Sequence, residues 1–387
     1  MNALFQHRAK ILDTFDGSLP LALFLKQYFR QFPVLGSRDR RILSALAFSH
    51  YRAGKAIENL DDEKSTIAAE LILCEQDGTE YQRMLEGIQP AEIGASLTDR
   101  IQQVEKLGAT VKTDNILSFD VKLSDGIKKE DWISRLLGRT AVFIKPEKGF
   151  EKDVSKRLEK ASIPFELGEN GDIKLKQGVN LESTLEPKSF RVQDWASQQI
   201  STYLPTEAPS FIWDVCAGAG GKSLILSEQF PKAKLLVSDV RPSILRNLEE
   251  RFKLHRRNLP QMMEIDLTQL PEDVDPLEGK KADLIVCDVP CSGSGTWGRT
   301  PEQAWFFNPE TLTEFSEKQQ NIVFRAKDFL TDDGTLIYIT CSVFSAENED
   351  NTKQICETGG LKIIHQTIIN GFENQADCLF VAVLKKI

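Results

Sequence analysis

Short apolar runs alternate with helical segments from about residue 190 onwards, and this alternation constrains the fold of the 387-residue chain more than any other feature. The predicted strands are FIWDV, KLLVSD, MMEID, ADLIVCD, TLIYIT and CLFVAVL. Helices are predicted between them, after Gly220 and from Ser243, Pro309 and Ala346. Such alternation is typical of a parallel, doubly wound sheet, so a Rossmann-like α/β domain is predicted for residues 191–387.

Two segments with different predicted secondary structure precede this domain. Residues 1–125 are predicted to be helical, because apolar residues recur at helical spacing in LALFLKQYF and RRILSALAFSHYRAGKAI. Residues 126–190 combine a strand (AVFIKP), a helix (VSKRLEKASI) and a hairpin around Asn170 and Gly171. The second segment is therefore predicted to be a small α+β subdomain or linker.

Composition places the chain among ordinary globular proteins, with 41% hydrophobic and 27% charged residues. Its apolar runs fall short of the roughly 20 residues that a membrane-spanning helix needs, and the N-terminus has no signal-peptide core. A cytoplasmic protein without a membrane partner is expected. Seven cysteines, an odd number, argue against a disulfide framework. Without a CxxC pair or an HExxH stretch, no metal is expected.

The charge is distributed unevenly along the chain. Its net value is −9, yet residues 1–57 contain nine Lys/Arg and three Asp/Glu. Part of this basic excess clusters at Arg38, Arg40, Arg41 and Arg52. The cluster is either a solvated helix face or a surface that binds phosphates, and charge alone does not decide between them.

A glycine-rich loop follows the first strand of the predicted sheet, in the sequence DVCAGAGGKS (214–223). Glycines between a strand and a helix allow close approach of a ligand to the backbone. A Walker phosphate loop would need glycine where Cys216 stands, and a dinucleotide fingerprint from Gly218 would need glycine at Ser223. Both patterns miss by one residue, which favours S-adenosyl-L-methionine.

Two aspartates at later strand ends support an adenosine-containing cofactor. Asp239 ends the second strand, where a carboxylate can accept hydrogen bonds from a ribose diol. Asp266 ends the predicted third strand, where it could receive an adenine amino group. NAD presents the same ribose diol and therefore remains an alternative.

Two cysteines and an aspartate follow the fourth and fifth strands. Asp288 and Cys291 lie in DVPCSGSG, and Cys341 lies in ITCS. Ligands of open parallel sheets bind at the carboxyl ends of strands, so these side chains should converge near the cofactor. A thiolate that adds to carbon 6 of cytosine makes carbon 5 nucleophilic enough to accept a methyl group, and Asp288 could hold the N3–N4 edge of the base. The alternative is that both cysteines only fill tight turns.

Several motifs, in order, resemble those of the RsmB/Sun (Fmu) family of RNA cytosine-C5 methyltransferases. DVCAGAGGKS resembles D-x-C-A-A-P-G-G-K-[TS], and DVPCSGSG resembles D-A-P-C-S-G-x-G. TCS followed by ENE (347–349), VQDWASQQ (192–199), and the further matches at Pro301, Glu302, Trp305, Gln319 and Ile322 complete the resemblance over about 190–387.

The resemblance implies a nucleophilic Cys341 and a second cysteine, Cys291, that helps to release the methylated base. DNA cytosine methyltransferases use the Pro-Cys cysteine for attack, so the two roles could be exchanged. The cofactor-binding residues that the family implies are Cys216, Ala217, Gly218, Ala219, Gly220, Gly221, Lys222, Asp239, Asp266 and Asp288.

The N-terminal segment is similar to a part of bacterial members of this family. GSRDRRILSALAFSHYR resembles the GxxDR…VYGVLR region of a NusB-like helical RNA-binding domain, although FIKPEKG stands where L-R-x-N is usual. The resemblance implies an RNA partner, ribosomal RNA first and transfer RNA second, and a monomer is expected. Other hypotheses are a methyltransferase acting on a protein or small molecule, a non-catalytic RNA-binding protein and an NAD-dependent oxidoreductase.

Overall fold

A computed structural model describes residues 2–76, 95–271 and 273–387. Part of the predicted helical segment 1–125 therefore lies outside the described residues. The chain forms two compact units, both discontinuous in sequence. The helical unit comprises Met1–Val121, Lys128–Arg139 and Thr296–Pro309. The sheet unit comprises Lys122–Ile127, Thr140–Gly295 and Glu310–Ile387.

The helices in the described residues are α1 (Asn2–Thr14), α2 (Leu21–Gln31), α3 (Ser37–Ala53), α4 (Glu63–Leu73), α5 (Leu97–Glu105), α6 (Lys129–Leu137), α7 (Glu151–Lys160), α8 (Trp195–Gln199), α9 (Gly221–Gln229), α10 (Pro242–Leu254), α11 (Pro301–Phe306), α12 (Thr311–Lys327) and α13 (Glu349–Gly359). The strands are β1 (Ile57–Glu58), β2 (Thr110–Val111), β3 (Val142–Pro146), β4 (Phe165–Leu167), β5 (Ile173–Leu175), β6 (Phe190–Val192), β7 (Phe211–Asp214), β8 (Lys234–Asp239), β9 (Gln261–Glu264), β10 (Ala282–Asp288), β11 (Leu330–Thr340), β12 (Leu361–Asn370) and β13 (Cys378–Lys386).

The helical unit is built from amphipathic helices whose apolar faces meet in one core. Leu21 and Leu25 of α2 pack with Leu43, Ala47 and Tyr51 of α3, and all five are buried. Their spacing of three and four residues places each set on one helix face. The helical character predicted for this segment is confirmed for its described residues, with a short β1–β2 pair in addition.

One member of the predicted basic cluster is not on the surface. Arg52 is only 5% exposed, and its guanidinium donates hydrogen bonds to the carbonyl oxygens of Leu136, Gly138 and Gly298 at 3.0, 2.7 and 2.8 Å. A buried cation that satisfies three carbonyls stabilises the packing of this unit. The inclusion of Arg52 in an RNA-facing cluster is therefore wrong, whereas Arg38 and Arg41 are exposed.

The segment Thr296–Pro309 belongs to the helical unit although it follows β10 in sequence. The Glu302 carboxylate accepts the backbone N–H of Leu21 at 3.0 Å, which satisfies a donor at the start of α2. The Trp305 ring lies edge-on to Tyr51, with 5.7 Å between centroids. Glu302 and Trp305 thus complete the core of the helical unit.

The sheet unit contains a seven-stranded sheet, in the described residues, in the order β12-β13-β11-β10-β7-β8-β9. The five neighbouring strands β11, β10, β7, β8 and β9 run parallel to one another. β13 is antiparallel to β11, and β12 is antiparallel to β13. Helices cover this sheet and bury Trp213, Leu284, Ile337 and Phe380. The predicted Rossmann-like α/β fold is confirmed. The sequence analysis did not predict β12, because it is a sheet-edge strand whose middle is exposed and lacks a simple alternation.

A second sheet in the same unit has the order β4-β5-β3-β6 and packs against α7. β4 and β5 form the predicted hairpin around Asn170 and Gly171, and β3 is the predicted strand AVFIKP. The buried Glu147 carboxylate, just after β3, accepts hydrogen bonds from Arg191 of β6 at 3.0 Å and from Arg257 after α10 at 2.6 Å. These ion pairs join the small sheet to the large one.

Among the described residues, no helix combines the length and the apolar character needed to cross a membrane.

Candidate active site

The carboxyl ends of β7, β8, β10 and β11 place their following loops along one edge of the large sheet. These strands are parallel neighbours in the order β11-β10-β7-β8. The loop after β7 contains the glycines, and the loops after β10 and β11 contain Cys291 and Cys341. The topology therefore brings together the segments that the sequence analysis singled out.

The glycine loop adopts a conformation that side chains rarely allow. Gly218 and Gly220 have φ angles of +53° and +80°, and α9 begins directly after Gly220. A Cβ atom on Gly220 would lie 2.7 Å from Cγ of Leu248 on α10. Glycine at 220 therefore provides both the left-handed turn and the close approach of α10.

The other loop residues are held through their backbones. The Ala217 N–H donates to the Ser238 carbonyl at 2.9 Å, and the Ala219 carbonyl accepts from Arg251 at 2.7 Å. The Gly221 carbonyl accepts from the Gln193 side chain at 2.9 Å. Gln193 belongs to the VQDWASQQ segment, so this segment holds the glycine loop through the hydrogen bond to Gly221. Burial raises the pKa of the Cys216 thiol in the same loop, so it stays protonated.

Asp239 connects the glycine loop to the end of β8. Its buried carboxylate accepts the Gly218 N–H at 3.0 Å and the Arg241 guanidinium at 2.9 and 3.1 Å. Burial alone would raise the pKa of Asp239, but the hydrogen bonds from Arg241 and Gly218 outweigh it, and the pKa is lowered. Asp239 is therefore an ionised hydrogen-bond acceptor beside the loop.

Asp266 lies two residues beyond the end of β9, which stops at Glu264. Its carboxylate accepts the backbone N–H and the hydroxyl of Thr268 at 2.9 and 2.7 Å. These bonds form a local turn, so Asp266 is oriented by its own loop.

Asp214, the last residue of β7, was not singled out from the sequence. It is fully buried, and one carboxylate oxygen accepts the Ser223 hydroxyl at 2.6 Å. The other oxygen, Oδ1, has no hydrogen-bond partner among the described residues. Burial raises the pKa of Asp214 to about 7, against the opposing effect of Ser223. The only sequence signal was its place at the start of the glycine motif.

Lys222 and Asp288 form an ion pair across the site, with Nζ and Oδ2 2.9 Å apart. Burial disfavours the Lys222 ammonium, but Asp288 outweighs this effect and raises the pKa of Lys222, and Cys341 adds to the rise. The ammonium is thus charged at neutral pH and acts electrostatically on both the carboxylate and the thiol.

Cys291 and Cys341 meet at the ends of β10 and β11. Their Sγ atoms are 3.2 Å apart, and the Cys341 backbone N–H donates to the Cys291 sulfur at 3.3 Å. Both cysteines are free and partly exposed. The hydrogen bond with Cys341, burial and the Glu347 charge raise the pKa of Cys291 well above its usual range. In contrast, Cys287 lies fully buried within β10 and belongs to the core.

A buried polar cluster behind the cysteines holds their loops in place. Glu347 is fully buried, and its carboxylate accepts the backbone N–H and hydroxyl of Ser292 at 2.8 and 2.5 Å. Gln319 donates to Glu347 and to the Pro290 carbonyl, both at 3.0 Å. The motif matches at Gln319 and Glu347 were the signal for this cluster, but their function in holding the cysteine loop was not foreseen.

The Cys341 loop is fixed by a separate set of contacts. The Gly295 N–H donates to the Cys341 carbonyl at 2.9 Å, and the Val343 N–H donates to the Ser294 hydroxyl at the same distance. A Cβ on Gly295 would lie 2.2 Å from the Cys378 carbonyl oxygen. Only glycine fits this close crossing of three segments.

Solved structures share the fold of this chain. One, "Crystal Structure of PH0851", matches 98% of this chain and 97% of its own with a TM-score of 0.68 and 17% identity. Another, NSun6 from Pyrococcus horikoshii with SFG, matches 66% of this chain and 94% of its own with a TM-score of 0.57 and 16% identity. Both likenesses show a common Rossmann-like fold.

Sequence comparison supports the resemblance found in the motifs. Residues 201–377 match the family described as 16S rRNA methyltransferase RsmB/F, so the resemblance to this family is confirmed for that part of the chain. The ribosomal RNA small subunit methyltransferase B of Shewanella oneidensis is 33% identical over 160 residues, 41% of this chain and 36% of the relative. The chain spans well under two thirds of the length of the curated relatives that it matches.

Proposed function

We propose that this chain transfers a methyl group from S-adenosyl-L-methionine to carbon 5 of a cytosine in RNA. The observation that carries the proposal is the 3.2 Å approach of the Cys291 and Cys341 sulfur atoms beside the Lys222–Asp288 ion pair. In the proposed chemistry one thiol forms the covalent bond to the base and the second assists the release of the product. A methyltransferase that acts on a protein or a small molecule has no function for this pair.

The residues around the glycine loop fit S-adenosyl-L-methionine. A Cβ on Gly218 or Gly221 would meet nothing within 4 Å, which leaves space for a ligand against the backbone. Asp239 would accept the ribose hydroxyls in place of Arg241, whose side chain is 59% exposed. The related NSun6 structure contains SFG, an analogue of this cofactor. When bound, the cofactor supplies an electrophilic methyl group.

Cys341 is the proposed nucleophile. Its thiolate forms a bond to carbon 6 of the cytosine, and the electron pair of the C5–C6 double bond makes carbon 5 nucleophilic. Once carbon 5 has taken up the methyl group, transfer of its proton to water restores the double bond and expels the Cys341 thiolate. The Lys222 ammonium interacts electrostatically with Cys341.

Cys291 is the proposed partner in the release of the product. Its raised pKa keeps the proton on its sulfur, which lies 3.2 Å from the Cys341 sulfur. The motif resemblance supports the assignment of attack to Cys341, and the exchanged roles found in DNA cytosine methyltransferases are the alternative that the variants below test.

Asp288 is the proposed contact to the base. Its carboxylate is partly exposed at the end of β10, three residues before Cys291. From this position it can hold the N3–N4 edge, and Lys222 fixes its orientation. The target cytosine must be unstacked or single-stranded to reach these groups.

Ribosomal RNA is the proposed substrate class. The matched family and the curated relatives are named for small-subunit ribosomal RNA, which favours it over transfer RNA. The N-terminal helical unit is a proposed RNA-binding unit, with Arg38 and Arg41 on its exposed surface. Cytoplasmic location, a monomeric state and the absence of a metal stay predictions from the sequence.

The proposal is tested by incubation with labelled S-adenosyl-L-methionine and, in separate reactions, small-subunit ribosomal RNA or transfer RNA, each lacking 5-methylcytosine. Cys341→Ala should abolish methyl transfer, whereas Cys291→Ala should accumulate a denaturation-resistant protein–RNA adduct. Cys356→Ala is the matched control, because this partly buried cysteine lies on α13 and should leave activity unchanged. Normal turnover by Cys341→Ala would disprove the nucleophile assignment. Label on transfer RNA alone, or on protein, would redirect the substrate assignment.

A further inference from the structure

A groove of the sheet unit lies at the edge opposite to the cysteines. Its lining includes Ser210 to Ile212 at the start of β7, Lys234 at the start of β8 and Gln261 at the start of β9. Its volume is about 950 Å³. Parallel strands of four to six residues, at about 3.3 Å per residue, separate this groove from the active site by roughly 13–20 Å. The groove therefore takes no part in the chemistry proposed above.

The rim of the groove is basic, although the whole chain has a net charge of −9. Its lining cations are Lys234, Arg256, Arg257, Lys280 and Lys281. A second cavity of about 180 Å³ shares Arg256 and Arg257 and adds Lys148 and Lys188 from the small sheet. We call this continuous set of seven residues the basic tract. The acidic residues that line the two cavities are Glu278 and Glu147.

Part of the positive charge of the tract is uncompensated. Glu147 is neutralised by the buried Arg191 and by Arg257, and Glu278 lies 4.0 Å from Lys280. Lys148, Lys234 and Arg256 are exposed and form no ion pair with any carboxylate in the described part of the chain. Three free cations on an otherwise acidic protein form a local attractive field for an anion.

The floor of the groove is apolar. Phe211 is partly exposed there, Leu259 is 48% exposed, and Pro260 lies between Leu259 and the start of β9. A groove lined by cations and by a partly exposed aromatic ring is similar to those that bind single-stranded nucleic acids. The cations are spread along two cavities and do not converge on one point. This spacing suits a chain of phosphates better than a single free phosphate.

We propose that the basic tract binds the phosphate backbone of a second, single-stranded segment of the RNA substrate, remote from the target cytosine. The identification of the polyanion as substrate RNA rests on the function proposed above. The basic tract thereby provides the sheet unit with a second RNA-binding surface, in addition to the contacts of the active site.

Charge-neutral substitutions test this binding. The triple variant Lys148→Gln, Lys234→Gln, Arg256→Gln removes three exposed cations, and circular dichroism and thermal unfolding verify its fold. Fluorescence anisotropy with a long single-stranded fragment of small-subunit ribosomal RNA should show weaker binding, by at least about tenfold near 0.1 M salt. The slope of log K against log salt concentration should become shallower by about 2, since each single-strand contact contributes about 0.7.

The matched control removes three lysines that line neither cavity. Lys353→Gln, Lys362→Gln, Lys385→Gln changes the net charge equally, but these residues belong to α13, β12 and β13. The control should retain the wild-type salt slope. A trinucleotide centred on the target cytosine, with one nucleotide on either side, is too short to reach the tract and should bind both triple variants like the wild type.

Methyl transfer separates the failure of this inference from the failure of the proposed function. At saturating RNA the tract variant should have the wild-type single-turnover rate, because the tract lies away from the cysteines. If the wild type transfers no methyl group, the proposed function fails, while the binding measurement still tests the tract. Equal salt slopes for the tract variant and the wild type would overturn the inference. The inference would also be overturned if polyglutamate or inorganic phosphate displaced the labelled RNA as well as unlabelled RNA does. That result would indicate an acidic protein or a free anion as the ligand.

Discussion

The Glu347 carboxylate accepts the backbone N–H of Ser292 at 2.8 Å, although 55 positions separate the two residues in sequence. Ser292 directly follows Cys291, so this buried carboxylate determines where the cysteine loop lies relative to β11. Gln319 reinforces it through bonds to Glu347 and Pro290. Glu347 is thus a positioning residue, because it acts through the loop and does not touch the reacting atoms.

Replacement of Glu347 should therefore reduce turnover more than substrate binding. In Glu347→Gln the amide cannot accept both Ser292 donors and the Gln319 donor, so one buried donor loses its partner at a cost of about 1–3 kcal/mol. We expect kcat to fall at least about tenfold while KM for RNA changes little. The exposed Glu357 on α13 provides the control: Glu357→Gln should retain both kcat and stability. Unchanged kcat in Glu347→Gln would refute the positioning function.

The Lys222–Asp288 pair should affect the rate of methyl transfer. Lys222→Ala removes the ammonium that lies 2.9 Å from the Asp288 carboxylate, so this carboxylate loses the partner that fixes its orientation. The single-turnover rate should fall by at least about tenfold, and Lys222→Arg should restore part of it because it keeps the positive charge. Single-turnover rates at saturating RNA provide the measurement. Equal rates for the three proteins would contradict an electrostatic function for Lys222.

Asp214 should make the folded state less stable as the pH rises. Its pKa is about 7 in the folded protein and 3.8 as the ordinary value, so between these pH values the folded state binds more protons than the unfolded state. Below pH 4 this difference in the pKa of Asp214 stabilises the folded protein by an amount on the order of a few kcal/mol. This stabilisation is lost as the pH rises towards 7. Asp214→Asn cannot ionise, so its stability relative to the wild type should increase between pH 5 and 7.5. Urea unfolding at both pH values measures this difference, and equal pH dependence would refute the assignment.

Gly295 should tolerate no side chain. In Gly295→Ala the new Cβ would meet the carbonyl oxygens of Cys378 and Cys341 at 2.2 and 3.0 Å, and backbone has to move to relieve the clash. We expect a loss of about 3 kcal/mol or more in the free energy of unfolding. Gly221→Ala is the matched control, since its Cβ would meet nothing within 4 Å. The control should unfold at the wild-type temperature. A similarly stable Gly295→Ala would show that the loop can relax.

The sequence predicted the large sheet well because its buried parallel strands are continuous apolar runs. ADLIVCD and KLLVSD coincide with β10 and β8. The edge strand β12 was not predicted, because its middle is exposed and its residues do not form a continuous apolar run. In the site, the glycine loop and both cysteines were found because each follows a strand end. Asp214 was missed because burial, and not its residue type, raises its pKa.

The sequence by itself determined which segments form strands and loops, and hence that Cys291, Cys341, Asp239 and Asp288 lie at one edge of a sheet. This is possible because apolar periodicity and glycine positions are local properties of the chain. Only the tertiary structure decided that two sulfur atoms lie 3.2 Å apart, that Arg52 is buried and that the basic tract is continuous. Distances and burial arise from contacts between residues far apart in sequence, and no local pattern encodes them.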